Sequence, residues 1–169
     1  APAISTLQGL CGNLDIRLVR AAVEALGRIK NSDSTEILMQ VASRTKSDAA
    51  LQHTLIYALI EIGDKQKLQN YLGNKNSAAT RAIALVALNA LNDSTISSFA
   101  LNAIHSDQPL LINTAVEILK QHPEWSPQAG KHFARLSAAA LSTTATSKAG
   151  MKSNELAQDI LKNLFRAWQ

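Results

Sequence analysis

Val19-Arg20-Ala21-Ala22-Val23-Glu24-Ala25-Leu26-Gly27 is the stretch that decides the fold. Its centre, Ala22 to Leu26, returns almost letter for letter as Ala115-Val116-Glu117-Ile118-Leu119 near the far end of a 169-residue chain. Extended outward, the stretch places Ile16, Val19, Val23, Leu26 and Ile29 on one stripe of a helix, because apolar residues spaced by three and four share a face. The same spacing recurs in Leu51, Leu55, Leu59 and Ile62, then in Ile83, Val86, Ala87 and Ala90, then in Leu111, Ala115, Ile118 and Leu119. The equivalent leucines Leu26, Leu59, Leu88 and Leu119 follow one another at a period of about thirty, which marks an internal repeat. No convincing period-two strand accompanies it.

Shorter amphipathic segments lie between these helices: Ile37, Leu38 and Val41; Leu68, Tyr71 and Leu72; Ile96, Phe99, Ala103 and Ile104. Each repeat therefore reads as a helix pair. Asp33 followed by Glu36 suits a helix start, Gly63 and Gly73 suit helix ends, and Pro109 suits a first helical position. A pair of this size cannot bury its apolar face alone, so neighbours must stack and share one continuous core. The expected fold is all-α, an α-solenoid of helix pairs wound as a right-handed superhelix. The stack is expected over residues 1–125. Residues 126–169 are expected to supply C-terminal helices that cap it, with Ser126-Pro127 opening one and Ala157, Ile160, Leu161, Leu164 and Trp168 sharing a face of the last.

Composition supports this reading. Hydrophobic residues make up 46% and charged residues 18%, which favours folding over disorder, and aromatics reach only 4%, so aliphatic side chains must fill the core. Every apolar run is broken well before the roughly 20 residues that a membrane span needs. The net charge of +4 permits acidic or nucleic-acid partners without demanding them. A lone cysteine, Cys11, excludes an internal disulfide and any cysteine-rich metal framework. The start at Ala1-Pro2-Ala3, with no initiator Met, fits a piece of a longer protein.

Val19 to Gly27 resembles the second helix of a HEAT repeat, an armadillo-like family, in which Val-Arg precedes a small-residue stripe and a closing Ala-Leu-Gly. The resemblance runs from residue 15 to about 122, with departures: His53 and Asn113 stand in the place of Arg20, and Arg81 is displaced by one position. It implies a protein-interaction scaffold in which Arg20 bridges neighbouring repeats through an acidic residue. Leu55 to Asp64 and His122-Pro123-Glu124-Trp125 also look like the HEAT-like middle region of large bacterial multidomain proteins. There a propeller-type dehydrogenase-like domain precedes the helices and a c-type haem domain follows, which implies an exported or periplasmic parent. No Cys-x-x-Cys-His motif occurs in this sequence, so no covalent haem is expected on it.

Reactive chemistry finds little support. His53, His105, His122 and His132 form neither an i, i+4 pair nor a cluster, so no metal site is expected. Cys11 reads as a small core residue. No Gly-x-Ser-x-Gly elbow and no glycine-rich phosphate cradle occur, so no catalytic or cofactor-binding residue is assigned. Glu24, Glu61 and Glu117 recur at neighbouring repeat positions, as solvated faces of a repeat do. The candidate interaction surface is Arg17, Arg20, Arg28 and Lys30, extended by His53 and Arg81. Two functions compete for it. One is a non-enzymatic scaffold that presents a concave helical face to a protein partner or to flanking domains. The other is a nucleic-acid module or DNA glycosylase-type enzyme gripping phosphates with a basic concave face, as some HEAT-like folds do. Scarce aromatics and interspersed Asp15, Glu24 and Glu61 weigh against the second.

Overall fold

A computed structural model describes residues 2–44, 48–125 and 127–131, and the elements among them are helices joined by turns, with no strand. In chain order they are α1 (Pro2–Leu10), α2 (Ile16–Ile29), α3 (Ser34–Arg44), α4 (Ala49–Ile62), α5 (Lys65–Gln69), α6 (Ala78–Ala90), α7 (Ile96–Ala103) and α8 (Pro109–Gln121), followed by a 3-10 turn, Pro123–Trp125. The fold class is the expected one, an all-α solenoid of helix pairs. The chain divides into two compact units between Ile96 and Ser97. Ser126 and residues 132–169 lie outside the described residues, and with them most of the expected C-terminal cap.

Local chemistry starts and stops the helices of the first unit. Asp15, Asp48, Asp64 and Ser77 each precede a helix and accept a backbone N–H from its first turn, supplying acceptors for donors that the helix leaves unpaired. The exits repeat as well. Lys30 (φ 58°), Gly63 (φ 72°) and Asn92 (φ 52°) all adopt left-handed backbone, and each stands one helical turn beyond its repeat's leucine, Leu26, Leu59 or Leu88. Gly63 closes α4 as expected, its N–H donating to the Leu59 carbonyl. Asp33, expected to cap α3, instead directs its carboxylate to Lys67 Nζ at 3.1 Å.

Packing follows the period. α2 lies against α4 and α4 against α6, forming one layer, while α3 packs on α4 and α6, and α5 on α6. Leu26, Leu59 and Leu88, aligned from sequence, are all fully buried, as are Val23, Leu38, Leu55 and Leu68. Ile16 and Ile29, the first and last residues of α2 and expected in the core, are instead nearly half exposed. In α6 the buried set includes Ile83, Ala84, Ala87 and Leu88, whereas Val86 is partly exposed and Ala90 exposed, so the third repeat's stripe is rotated from the expected one. The helix α1, whose spacing is carried by Ile4, Leu7 and Leu10, packs on α2 as the first helix of a pair.

Polar staples join successive repeats at the turns that follow α2, α4 and α6. The Ser32 hydroxyl donates to Asp64 Oδ2, and Lys67 Nζ donates to the Ser32 carbonyl at 3.0 Å. One repeat further, Gln69 Nε2 donates to both carboxylate oxygens of Asp93 at 3.1 and 3.0 Å, and Lys65 Nζ reaches the Asn92 carbonyl at 3.3 Å. The hydrogen bond from Ser32 holds the Asp64 carboxyl below its ordinary range. Burial pushes Asp93 up, but hydrogen bonds from Thr95 and Gln69 outweigh it and leave that carboxyl lowered too.

In the second unit, Pro109 occupies the start of α8 as expected, and Leu111, Ala115, Ile118 and Leu119 are all buried. The His122 ring stacks on Trp125 with centroids 3.9 Å apart, and its Nδ1 lies 2.7 Å from Glu124 Oε1.

Truncating Leu59 to Ala is expected to cost about 2–5 kcal/mol in urea unfolding, as for other fully buried leucines. A loss under about 0.5 kcal/mol would place Leu59 outside the core. Because Asp64 and Asp93 are lowered in the folded state, their contribution is complete above about pH 5 and is lost as pH falls through their folded values. Asp93→Asn, which keeps an acceptor for Gln69, is expected to flatten the loss of stability below about pH 4; an unchanged acid limb would contradict the staple.

Candidate interaction surface

The α2 and α4 helices approach most closely where Gly27 meets Ala58. A Cβ placed on Gly27 would lie 2.6 Å from Ala58 Cα and 2.8 Å from its Cβ, so only glycine permits this spacing. With no side chain between them, the two helices leave a groove of about 360 Å³ whose floor is Gly27 and Ala58. Glu24 and Arg28 line it from α2, and His53, Thr54, Tyr57 and Glu61 from α4. His53 and Tyr57, one turn apart, meet edge to face with ring centroids 4.6 Å apart, and Tyr57 is 56% exposed.

Arg28, Lys30 and Arg17 are each held by a nearby carboxylate. Arg28 Nη2 lies 2.6 Å from Glu24 Oε1, one turn back along α2. Lys30 Nζ lies 3.0 Å from Glu61 Oε2, which ties the end of α2 to the last turn of α4. Arg17 folds back on the capping residue Asp15 at 2.9 Å; the hydrogen bonds from Arg17 hold the Asp15 carboxyl below its ordinary range, and Asp15 raises Arg17 in return. Arg20 is exposed and makes no hydrogen bond or ion pair among the described residues. The bridge between repeats that the family resemblance assigns to Arg20 is carried instead by Lys30 and Glu61.

Of the six residues proposed from sequence, Arg28 and His53 are brought together in the groove, and Lys30 reaches its edge through Glu61. Arg17 and Arg20 lie on the same side of α2 as Arg28, about three and two turns before it. Arg81 stands apart. Its Nε donates to the Leu72 carbonyl at 3.1 Å, part-buried, and so fastens the connection between α5 and α6. Tyr57 and Thr54 were missed as lining residues. Their signal was the spacing of His53, Tyr57 and Glu61 by fours opposite a glycine in the preceding repeat. Glu24 and Glu61, recurrent in sequence, do share one groove, whereas Glu117 pairs with Lys120 in the second unit at 2.7 Å.

The remaining reactive groups have other surroundings. Cys11 is buried, and burial pushes its thiol up against an opposing effect of Arg44, which favours the unreactive protonated form. His122 caps the end of α8, while His132 lies outside the described residues. Among the described residues no three His, Cys, Asp or Glu side chains gather as a metal site, and no helix is long and apolar enough to cross a membrane.

Comparison with curated proteins finds no match. The family model for HEAT repeats matches residues 4–89, from α1 to the end of α6 and just over half of the chain. Paired helices stacked in register over that same span carry the identification, and the chain belongs to the HEAT-repeat family.

Proposed function

We propose that this chain is a non-enzymatic scaffold segment of a larger multidomain protein, and that it binds a protein partner along a concave helical face centred on the groove between α2 and α4. HEAT repeats are commonly scaffold or interaction modules. The observation that carries the reading further is the balance of charge at the groove: Arg28 is answered by Glu24 and Lys30 by Glu61, with an exposed Tyr57 between them. A phosphate backbone needs cations whose counterions are free to leave, and here the counterions are carboxylates fixed to the same surface. A mixed-charge groove with an exposed aromatic suits a protein surface better. The likeness of Leu55 to Asp64 to the middle region of large bacterial proteins supports a place between flanking domains.

Fluorescence anisotropy with a labelled DNA duplex at about 50 mM salt separates this from the nucleic-acid reading. No saturation is expected up to about 100 µM protein, the weak end of non-specific binding. Micromolar binding that weakens steeply with salt, and is lost in Arg17→Ala/Arg20→Ala/Arg28→Ala, would overturn the proposal. Arg20→Ala alone is expected to change stability by less than about 0.5 kcal/mol, since this exposed side chain supports no repeat contact; a loss above about 1 kcal/mol in urea unfolding would contradict that.

A further inference from the structure

The other side of α2 poses a separate question. Leu18, Ala21, Ala25 and Ile29 follow one another at spacings of three or four and form an apolar stripe without a charged member. At 3.6 residues per turn the stripe lies about half a turn around the helix from Gly27, which faces α4. Leu18 is 45% and Ile29 44% exposed, and Leu14, just before the helix, is wholly exposed.

The repeat itself shows what covers such a stripe. One repeat along, Leu18 becomes Leu51 and Ala25 becomes Ala58, and these are only 1% and 3% exposed because α2 lies on them with Gly27 against Ala58. One repeat further still, the positions become Thr80 and Ala87, again buried, and α4 packs on their helix. Twice, therefore, the face is closed by the second helix of the preceding pair. In α2 the same positions, with the same residue types as in α4, are less covered: Leu18 is exposed and Ala25 partly so.

We infer that the Leu18, Ala25 and Ile29 face of α2 is a stacking surface that takes a further HEAT-type helix pair, laid on α2 as α2 is laid on α4, with a glycine or alanine of the incoming helix over Ala25. It is a different face from the groove and stands whether or not that groove binds a partner. Aliphatic flanks on the incoming helix would meet Leu18 and Ile29, and the absence of charge in the stripe leaves no ion to desolvate. The array is thereby extended by one pair on the α2 side.

The test adds such a pair. A second copy of residues 1–33, one repeat length, is placed directly before the 169-residue chain, so that its own Gly27 comes to lie over Ala25 of the original α2. Hydrogen exchange is expected to slow about tenfold or more at the amides of the original α2, and the urea midpoint is expected to rise. Gly27→Leu confined to the added copy should abolish both gains while exchange in α4 and α6 stays unchanged. Unaltered exchange in the original α2, with or without a folded extra pair, would overturn the inference. So would sedimentation of the unextended chain as a dimer that Leu18→Asp dissociates, because the face would then belong to a second copy.

Discussion

Gly27 and Ala58 touch, and much of the first unit follows from that contact. A glycine inside a helix costs about 0.5–1 kcal/mol relative to alanine, because more backbone freedom is lost on folding. Here that cost is offset by an approach that no larger residue allows, with Ala58 backbone occupying the space a Cβ would need. Close axes bring Val19, Val23 and Leu26 of one repeat and Leu51, Leu55 and Leu59 of the next into a common core, in a chain too poor in aromatics to fill a wider gap.

The same spacing sets the polar contacts. Once α2 and α4 are in register, the turns that follow them are in register too, which places Ser32 beside Asp64 and Lys30 beside Glu61. The next step carries Gln69 to Asp93. These links join neighbours only, as expected where each repeat touches the one before and the one after. The groove is a by-product of the approach: two helices with nothing between them at the floor must diverge above it, and the side chains lining the gap, Tyr57 and His53 among them, become an accessible surface.

Much of this was legible in the sequence, and the failures share a cause. Leu26, Leu59, Leu88 and Leu119 could be aligned because period and residue type coincide, and all four are buried. Gly63 could be read as a helix stop because few other residues adopt φ near 72° easily, yet Lys30 and Asn92 take the equivalent backbone without announcing it. Arg28 and Lys30 could be listed as neighbouring cations from sequence, but their partners Glu24 and Glu61 balance them in the fold, which counting charges along the chain does not reveal. Leu18 and Leu51 show the difference most sharply. They are the same residue at the same repeat position, one 45% and the other 1% exposed, and only the presence of a preceding helix separates them.

Filling the gap at Gly27 tests most directly whether that gap is what permits the stack. By helix propensity alone, Gly27→Ala should stabilise the protein by about 1 kcal/mol. If the approach to Ala58 governs the fold, urea unfolding will instead show a loss of about 1–3 kcal/mol, the usual range for overpacking a close contact. A variant as stable as the parent, or more so, would mean that the two helices do not depend on touching there.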